Sequence, residues 1–245
     1  ALNEIDSIKK PLEAIKVNIA ESYRLISNAI AAKVKKFIFF STAHVYCSPL
    51  KGIITESCLP RPLHPYANTH KAAEDFVLAA RDMGQIDSIV LRLSNSFGVP
   101  AYPTADRWTL LVNDLCRQAI LEKQLVLKST GKQKRDFICL SDVVSAVRHL
   151  IKLDKHSSLD GVFNLGGGNS MRVIDMAYLV KRRYETLFNK EIQLIAPDSN
   201  GTSENDEELN FKISKLVSTG WEPTGNIEKE IDDTLSFCNK YMIND

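Results

Sequence analysis

The sequence predicts an α/β fold organised around a parallel sheet. Nearly continuous apolar runs at residues 34–41 and 87–93 alternate with stretches of helical periodicity. Strands buried on both faces and separated by helices leave that pattern. At 245 residues and 44% hydrophobic content, the chain can bury a substantial core, in one large domain or one plus a small lobe.

The elements follow in order. Pro11 suits the first turn of a helix, where its missing N–H is no loss, and Leu12, Ile15, Ile19, Tyr23, Ile26 and Ile30 keep helical spacing over residues 11–32. Residues 34–41 read as a parallel strand buried on both faces, delivering Ser41 and Thr42 at its carboxyl end. Pro60, Pro62 and Pro65 mark an extended loop before a helix over residues 66–83, with Tyr66 near its start. DSIVLRL at residues 87–93 is a second buried strand and leaves through the turn-rich SNSFGVP. A helix at 107–122 precedes short strands at 125–128 and 136–140, separated by TGKQK. Ser141 is placed to cap a helix running to Leu153, its side-chain oxygen accepting a free amide of the first turn. Strand 161–165, helix 173–188, strand 191–196 and a last helix at 227–241 complete the pattern. The polar run at 198–208 reads as a surface loop.

A net charge of +1 argues against a nucleic-acid or membrane-surface role driven by bulk electrostatics. No apolar run approaches the ~18 residues of a membrane span, and no basic-then-apolar leader opens the chain. The five cysteines have no C-x-x-C spacing, which suggests free thiols in a reducing, cytoplasmic setting. The five histidines do not cluster in sequence, and no metal site is expected.

A hydroxyl residue at a strand end and a tyrosine on the next helix can meet over one site. Thr42 can both donate and accept, and so can shuttle a proton; its bland role is to satisfy strand-end backbone groups. Tyr66 can act as a base near neutrality only beside a positive charge, because a free phenol has a pKa of about 10; its bland role is packing. Gly166 to Gly168, between a strand and a helix, imitate a dinucleotide loop, but Met171 stands where the third glycine belongs. His64 and Glu56, in the loop before the tyrosine helix, receive no assignment. A doubly wound sheet that binds a dinucleotide opens with a strand, a glycine-rich turn and a helix. This chain opens on ALNEIDS and passes directly into a helix pattern.

Five segments in order resemble the extended short-chain dehydrogenase/reductase family, the NAD-dependent nucleotide-sugar epimerases and dehydratases. They are STAHVY (41–46), RLSNSFGVP (92–100), GKQKRDFICLSDVVSAV (131–147), FNLGGGNSMRVIDMA (163–177) and TGWEP (219–223). The resemblance implies a Rossmann-type doubly wound parallel sheet whose N-terminal strands are missing from this chain, with a small C-terminal substrate-binding lobe. Residues 1–165 would hold the remaining dinucleotide-binding domain with some substrate-lobe segments. Residues 166–245 would be mostly substrate lobe and C-terminal helix. By the same alignment roughly 70 to 80 residues with the glycine-rich loop are lacking before Ala1.

The resemblance also assigns roles. It puts Thr42 and Tyr66 at the catalytic hydroxyl and tyrosine positions. It puts His70 at the position of a lysine that lowers the tyrosine pKa and holds the nicotinamide ribose. Lys71, one residue on, lies ~140° round the helix from Tyr66 and could reach the cofactor only through a bulge. Asn95 and Arg135 fall at positions that contact the nucleotide-sugar phosphates and ribose; arginine's planar fork suits a diphosphate. Ala43 and His44 replace the Asp-Glu pair of the 4,6-dehydratases, which favours epimerisation or simple oxidoreduction over dehydration. The implied activity is NAD-dependent nucleotide-sugar epimerisation. Alternatives are a non-catalytic, truncated or diverged homologue that binds nucleotide-sugar or serves as a partner subunit, and a reductase or dehydratase of the same family. A homodimer through helices 11–32 and 66–83 is expected.

Overall fold

The structure, a computed structural model, describes residues 3–105, 107–153, 160–198 and 208–243. The chain opens with α1 (Glu4–Lys9), whose cap Asn3 accepts from the Asp6 amide at 2.8 Å. Pro11 then starts α2 (Pro11–Ala14), which leads through a π-helical stretch, Ile15–Ala20, into α3 (Glu21–Ala31). The single helix expected over 11–32 is thus modulated by a wide turn and preceded by a helix that its periodicity did not announce.

There follow β1 (Lys36–Thr42), a 3₁₀ turn (Ala43–Val45), β2 (Gly52–Ile54), α4 (Pro65–Asp82), β3 (Asp87–Leu93) and β4 (Asn95–Phe97). After these come α5 (Leu111–Leu121), β5 (Gln124–Val126), β6 (Lys134–Cys139), α6 (Leu140–Lys152), β7 (Val162–Leu165) and β8 (Ser170–Arg172). The chain finishes with α7 (Val173–Phe188), β9 (Gln193–Ile195), β10 (Leu209–Phe211), α8 (Ser214–Val217) and α9 (Ile227–Tyr241). The surface-loop expectation for 198–208 lies, apart from Asp198 and Glu208, outside the described residues. Of the three-residue strands, β5 and β9 overlap the expected strands 125–128 and 191–196, whereas β2, β4, β8 and β10 escaped sequence reading because so short a run carries no legible period.

Two compact units divide the chain: Ala1–Ser94 with Ala146–Leu165 and Lys212–Glu222, and Asn95–Ser145 with Gly166–Phe211 and Pro223–Asp245. In the first, β1, β3 and β7 form a parallel sheet with β3 in the middle, Ile38 opposite Ile89 and Leu91 opposite Phe163. Ile26, Val77, Ala80, Ile86, Val90 and Val162 pack as its core between α3, α4 and the sheet. The two-sided burial expected for the first strand is not what forms. Phe37, Ile38 and Phe39 are half-buried and Phe40 is 42% exposed, because among the described residues β1 has a strand neighbour on one side only.

In the second unit, β6 lies between parallel β4 and antiparallel β8, β5 pairs in parallel with β9, and α5, α7 and α9 pack on one another. Leu115, Cys116, Phe137, Met176, Val180 and Leu235 belong to its core. The Ser141 cap is corrected: α6 begins one residue earlier, at Leu140, so Ser141 already lies within the helix, and its hydroxyl donates to Glu230 at 2.9 Å. Asp142, expected to be structural, accepts from the amides of Thr224 and Gly225 at 2.9 and 2.8 Å. Among the described residues, no helix is long and apolar enough to cross a membrane.

Candidate active site

The end of β1 holds Ser41 and Thr42, both buried. The Thr42 hydroxyl accepts from the His44 amide at 3.2 Å, turning the chain into the 3₁₀ turn as it leaves the sheet. Ser41 Oγ is buried and has no hydrogen-bond partner among the described residues. α4 packs against β1 and against that turn, and places Tyr66 in its own first turn.

One helical turn after Tyr66, the His70 ring lies 4.2 Å from the tyrosine ring, centroid to centroid. Its Nδ1 meets the Tyr66 carbonyl at 2.8 Å, and in the neutral ring that nitrogen carries the proton and donates. Burial lowers the His70 pKa, only partly offset by this bond, so the imidazole is neutral at pH 7. Thr69 donates to the same carbonyl at 3.0 Å and accepts from Asn18 at 3.0 Å. Two side chains therefore bind the Tyr66 backbone, and the turn that carries the phenol is held from within its own helix. α4 is regular throughout, without the bulge that would bring Lys71 round, and the Lys71 ammonium pairs with Asp75.

A second polar cluster in this unit was not foreseen as a cluster. Arg92, at the end of β3, forms a two-pronged ion pair with Glu74 of α4, with contacts of 2.8 to 3.3 Å. Arg92 also lies 4.7 Å over the ring of Tyr46, whose hydroxyl donates to Asn164 Oδ1 at 2.7 Å. Burial pushes the Tyr46 phenol up to about 12 despite the nearby guanidinium. Glu56, unassigned from sequence, accepts from the Asn164 amide at 2.9 Å. The cluster joins positions far apart in the chain, and nothing local announces it. His64, the other unassigned residue, is the N-cap of α4 and stacks on Tyr66, with centroids 6.1 Å apart.

Asn95 and Arg135 belong to the second unit, on adjacent strands β4 and β6. Asn95 stands opposite Phe137, two residues along from Arg135, and its amide donates to the Asp136 carbonyl at 2.9 Å. The glycine turn after β7 is packed solid. A Cβ on Gly166 would lie 2.3 Å from the Asp136 carboxylate, and one on Gly167 2.0 Å from the Phe137 carbonyl. The Gly167 amide donates to Asp136 at 2.9 Å, and both glycines are required for this close backbone approach. Among the described residues, no group of three His, Cys, Asp or Glu could hold a metal ion.

The dTDP-D-glucose 4,6-dehydratase of Homo sapiens is 27% identical over 239 residues, covering 97% of this chain and 66% of its own length. A solved UDP-glucose 4-epimerase of Thermotoga maritima, with UDP-glucose, superposes with a TM-score of 0.79 at 26% identity, over 97% of this chain and 74% of that one. A dTDP-glucose 4,6-dehydratase of Bacillus anthracis, in complex with NAD, superposes at 0.73 and 24% identity, over 94% and 70%. The chain spans just under two thirds of the length of the curated relatives it matches first. Residues 3–166, two thirds of the chain, match the NAD dependent epimerase/dehydratase family, and the protein belongs to that family, with its Rossmann-type α/β fold.

Proposed function

We propose that this chain carries the proton-handling part of an NAD-dependent nucleotide-sugar epimerase. One observation carries the reading: Tyr66 sits in the first turn of α4, a helix packed against β1 and the turn after it, and β1 ends in the buried hydroxyls of Ser41 and Thr42, in a chain of this family. Tyr66 accepts the proton of the reacting sugar hydroxyl, directly or through Thr42, and returns it. Asn95 and Arg135 hold the nucleotide diphosphate, for which an asparagine amide and a guanidinium fork are suited donors.

The residues present fit the nicotinamide-ribose end of a dinucleotide. Ser41 Oγ is a buried polar atom without a partner among the described residues, and neutral His70, with Nδ1 spent on Tyr66, keeps Nε2 as an acceptor for a ribose hydroxyl. When bound, the cofactor supplies hydride acceptance and return. Neutral His70 does not supply the cation that a lysine would, and each unit of tyrosine pKa left uncorrected costs about 1.4 kcal/mol of the base form. Lys71, tied to Asp75 on a helix without a bulge, takes no part in this reading. The free thiols of all five cysteines fit a reducing, cytoplasmic setting.

The test is turnover of UDP- and dTDP-hexoses with NAD by the protein from the reading frame that carries this chain. Epimerised sugar is expected, and Tyr66→Phe should lower the rate by about 10² to 10⁴ without unfolding the protein. A parent protein without turnover, matched by its Tyr66→Phe variant, would make the chain a non-catalytic homologue. His70→Ala should weaken NAD binding in a titration. The N-terminal helices and α4 expose Leu12, Ile15, Tyr23 and Phe76, with Tyr23 and Phe76 rings 5.1 Å apart, an apolar surface that suits a homodimer through helices 11–32 and 66–83. Sedimentation should give twice the monomer mass; a monomer at micromolar concentration would refute the dimer.

A further inference from the structure

Five rings make one continuous row with Tyr66 at its centre: His44, His64, Tyr66, His70 and Phe39. Successive centroids are 5.7, 6.1, 4.2 and 6.4 Å apart. His64 acts on Tyr66 in two ways. Its ring stacks on the phenol ring with only 16° between the planes. Its Nδ1 also accepts from the amide of Ala67, the residue after Tyr66, at 3.5 Å, and so caps the helix turn in which Tyr66 sits.

We propose that His64 is a positioning residue for Tyr66, and that it holds the tyrosine turn only while its imidazole is neutral. The proposal rests on the reading of Tyr66 as the proton-handling residue. Caps are usually Ser, Thr, Asp or Asn, whose oxygens accept across the physiological pH range. An imidazole nitrogen accepts only when unprotonated. Protonation turns Nδ1 into a donor aimed at another donor and puts positive charge at the positive end of the helix dipole.

The groups facing His64 set what replaces the cap. From α1, a Glu4 carboxylate oxygen lies 3.4 Å from Nε2. From the 3₁₀ turn, the His44 ring is 5.7 Å away. From α4, Tyr66 stacks on the ring, with His70 one place further along the row. A protonated ring would keep the Glu4 contact at Nε2 and lose the Ala67 bond at Nδ1, releasing the turn that carries the phenol.

Hydrogen exchange of the Ala67 amide and the ring resonances of Tyr66, measured by NMR on the 245-residue chain, test this. After correction for intrinsic exchange, wild-type protection at Ala67 should fall about fivefold between about pH 8 and about pH 5, the size of a lost cap. The Tyr66 resonances should move with it. His64→Asn, whose amide oxygen accepts at both pH values, should remove that pH dependence. His64→Phe, which keeps a ring but no acceptor, should be unprotected at both. A flat wild-type profile, or the same fall in His64→Asn, overturns the proposal; if His64→Phe does not fold, wild type against His64→Asn still decides. No substrate or cofactor enters the measurement. An inactive parent protein with pH-dependent protection would refute the activity alone, and an active one with flat protection would refute the positioning alone.

Discussion

The ends of β1 and β3 are neighbours in one sheet, with Ser41 opposite Arg92 and Thr42 opposite Leu93, yet they treat their polar groups in opposite ways. At β3 the guanidinium is buried and spent: it clasps Glu74 and covers Tyr46, which in turn binds Asn164. At β1 a serine oxygen is equally buried and has no partner among the described residues, while the threonine beside it only turns the backbone. A buried polar group normally has its hydrogen bonds. The satisfied end is scaffold, and the end with capacity to spare is the one to which the proposed function assigns a ligand's groups. Both ends serve α4: Glu74 ties its middle to β3, and the helix that carries Tyr66 in its first turn packs against β1.

The largest test of this contrast is Arg92→Met. It strands Glu74 as an uncompensated buried carboxylate and should cost about 3–5 kcal/mol in a urea melt. Adding Glu74→Gln should recover part of the loss, and a cost under about 1 kcal/mol would show that the pair is not structural. A smaller effect is expected from His70, whose folded pKa lies below its ordinary value because the ring is buried. The unfolded chain then binds the proton more readily, so this contribution to stability is intact above about pH 6.5 and declines as the pH falls through that value. His70→Gln, which keeps a donor but does not titrate, should flatten the difference between melts at about pH 7.5 and about pH 5.5. An unchanged difference would place the ring in water. The smallest effect belongs to Ser41→Ala: deleting an unpartnered oxygen should change stability by no more than about 0.5 kcal/mol. A loss of more than about 1 kcal/mol would mean that Ser41 is spent after all and would erase the contrast.

Much of this was legible along the chain. Helix α7, residues 173–188, has the bounds its periodicity predicts, and strand β3 those of its apolar run DSIVLRL. Proline at position 65 and the four-residue step from Tyr66 to His70 place the tyrosine in a first turn with a histidine on the same face, as found. Met171 in place of a third glycine argues against a dinucleotide loop, and the close contacts at Gly166 and Gly167 give those glycines a packing role. The failures share a cause. Ser141 has the composition of a cap, but composition does not say that α6 starts at Leu140 or that Glu230 would take its hydroxyl. The run FIFF reads as buried on both faces, whereas burial depends on what lies beside the strand.

By itself, then, the sequence determined the order and type of the long elements, and its five ordered motifs carried the resemblance to the family that the chain matches. Those are properties of spacing and local periodicity, which a linear chain carries. Tertiary structure alone decided that His70 is neutral, since its protonation depends on being buried against Phe39 and Tyr66. It alone brought His64 from the helix cap onto the tyrosine ring, and closed the cluster of Tyr46, Glu56, Glu74, Arg92 and Asn164. Desolvation and hydrogen-bond satisfaction are set by neighbours in space, and those neighbours stand as much as 118 positions apart in the chain.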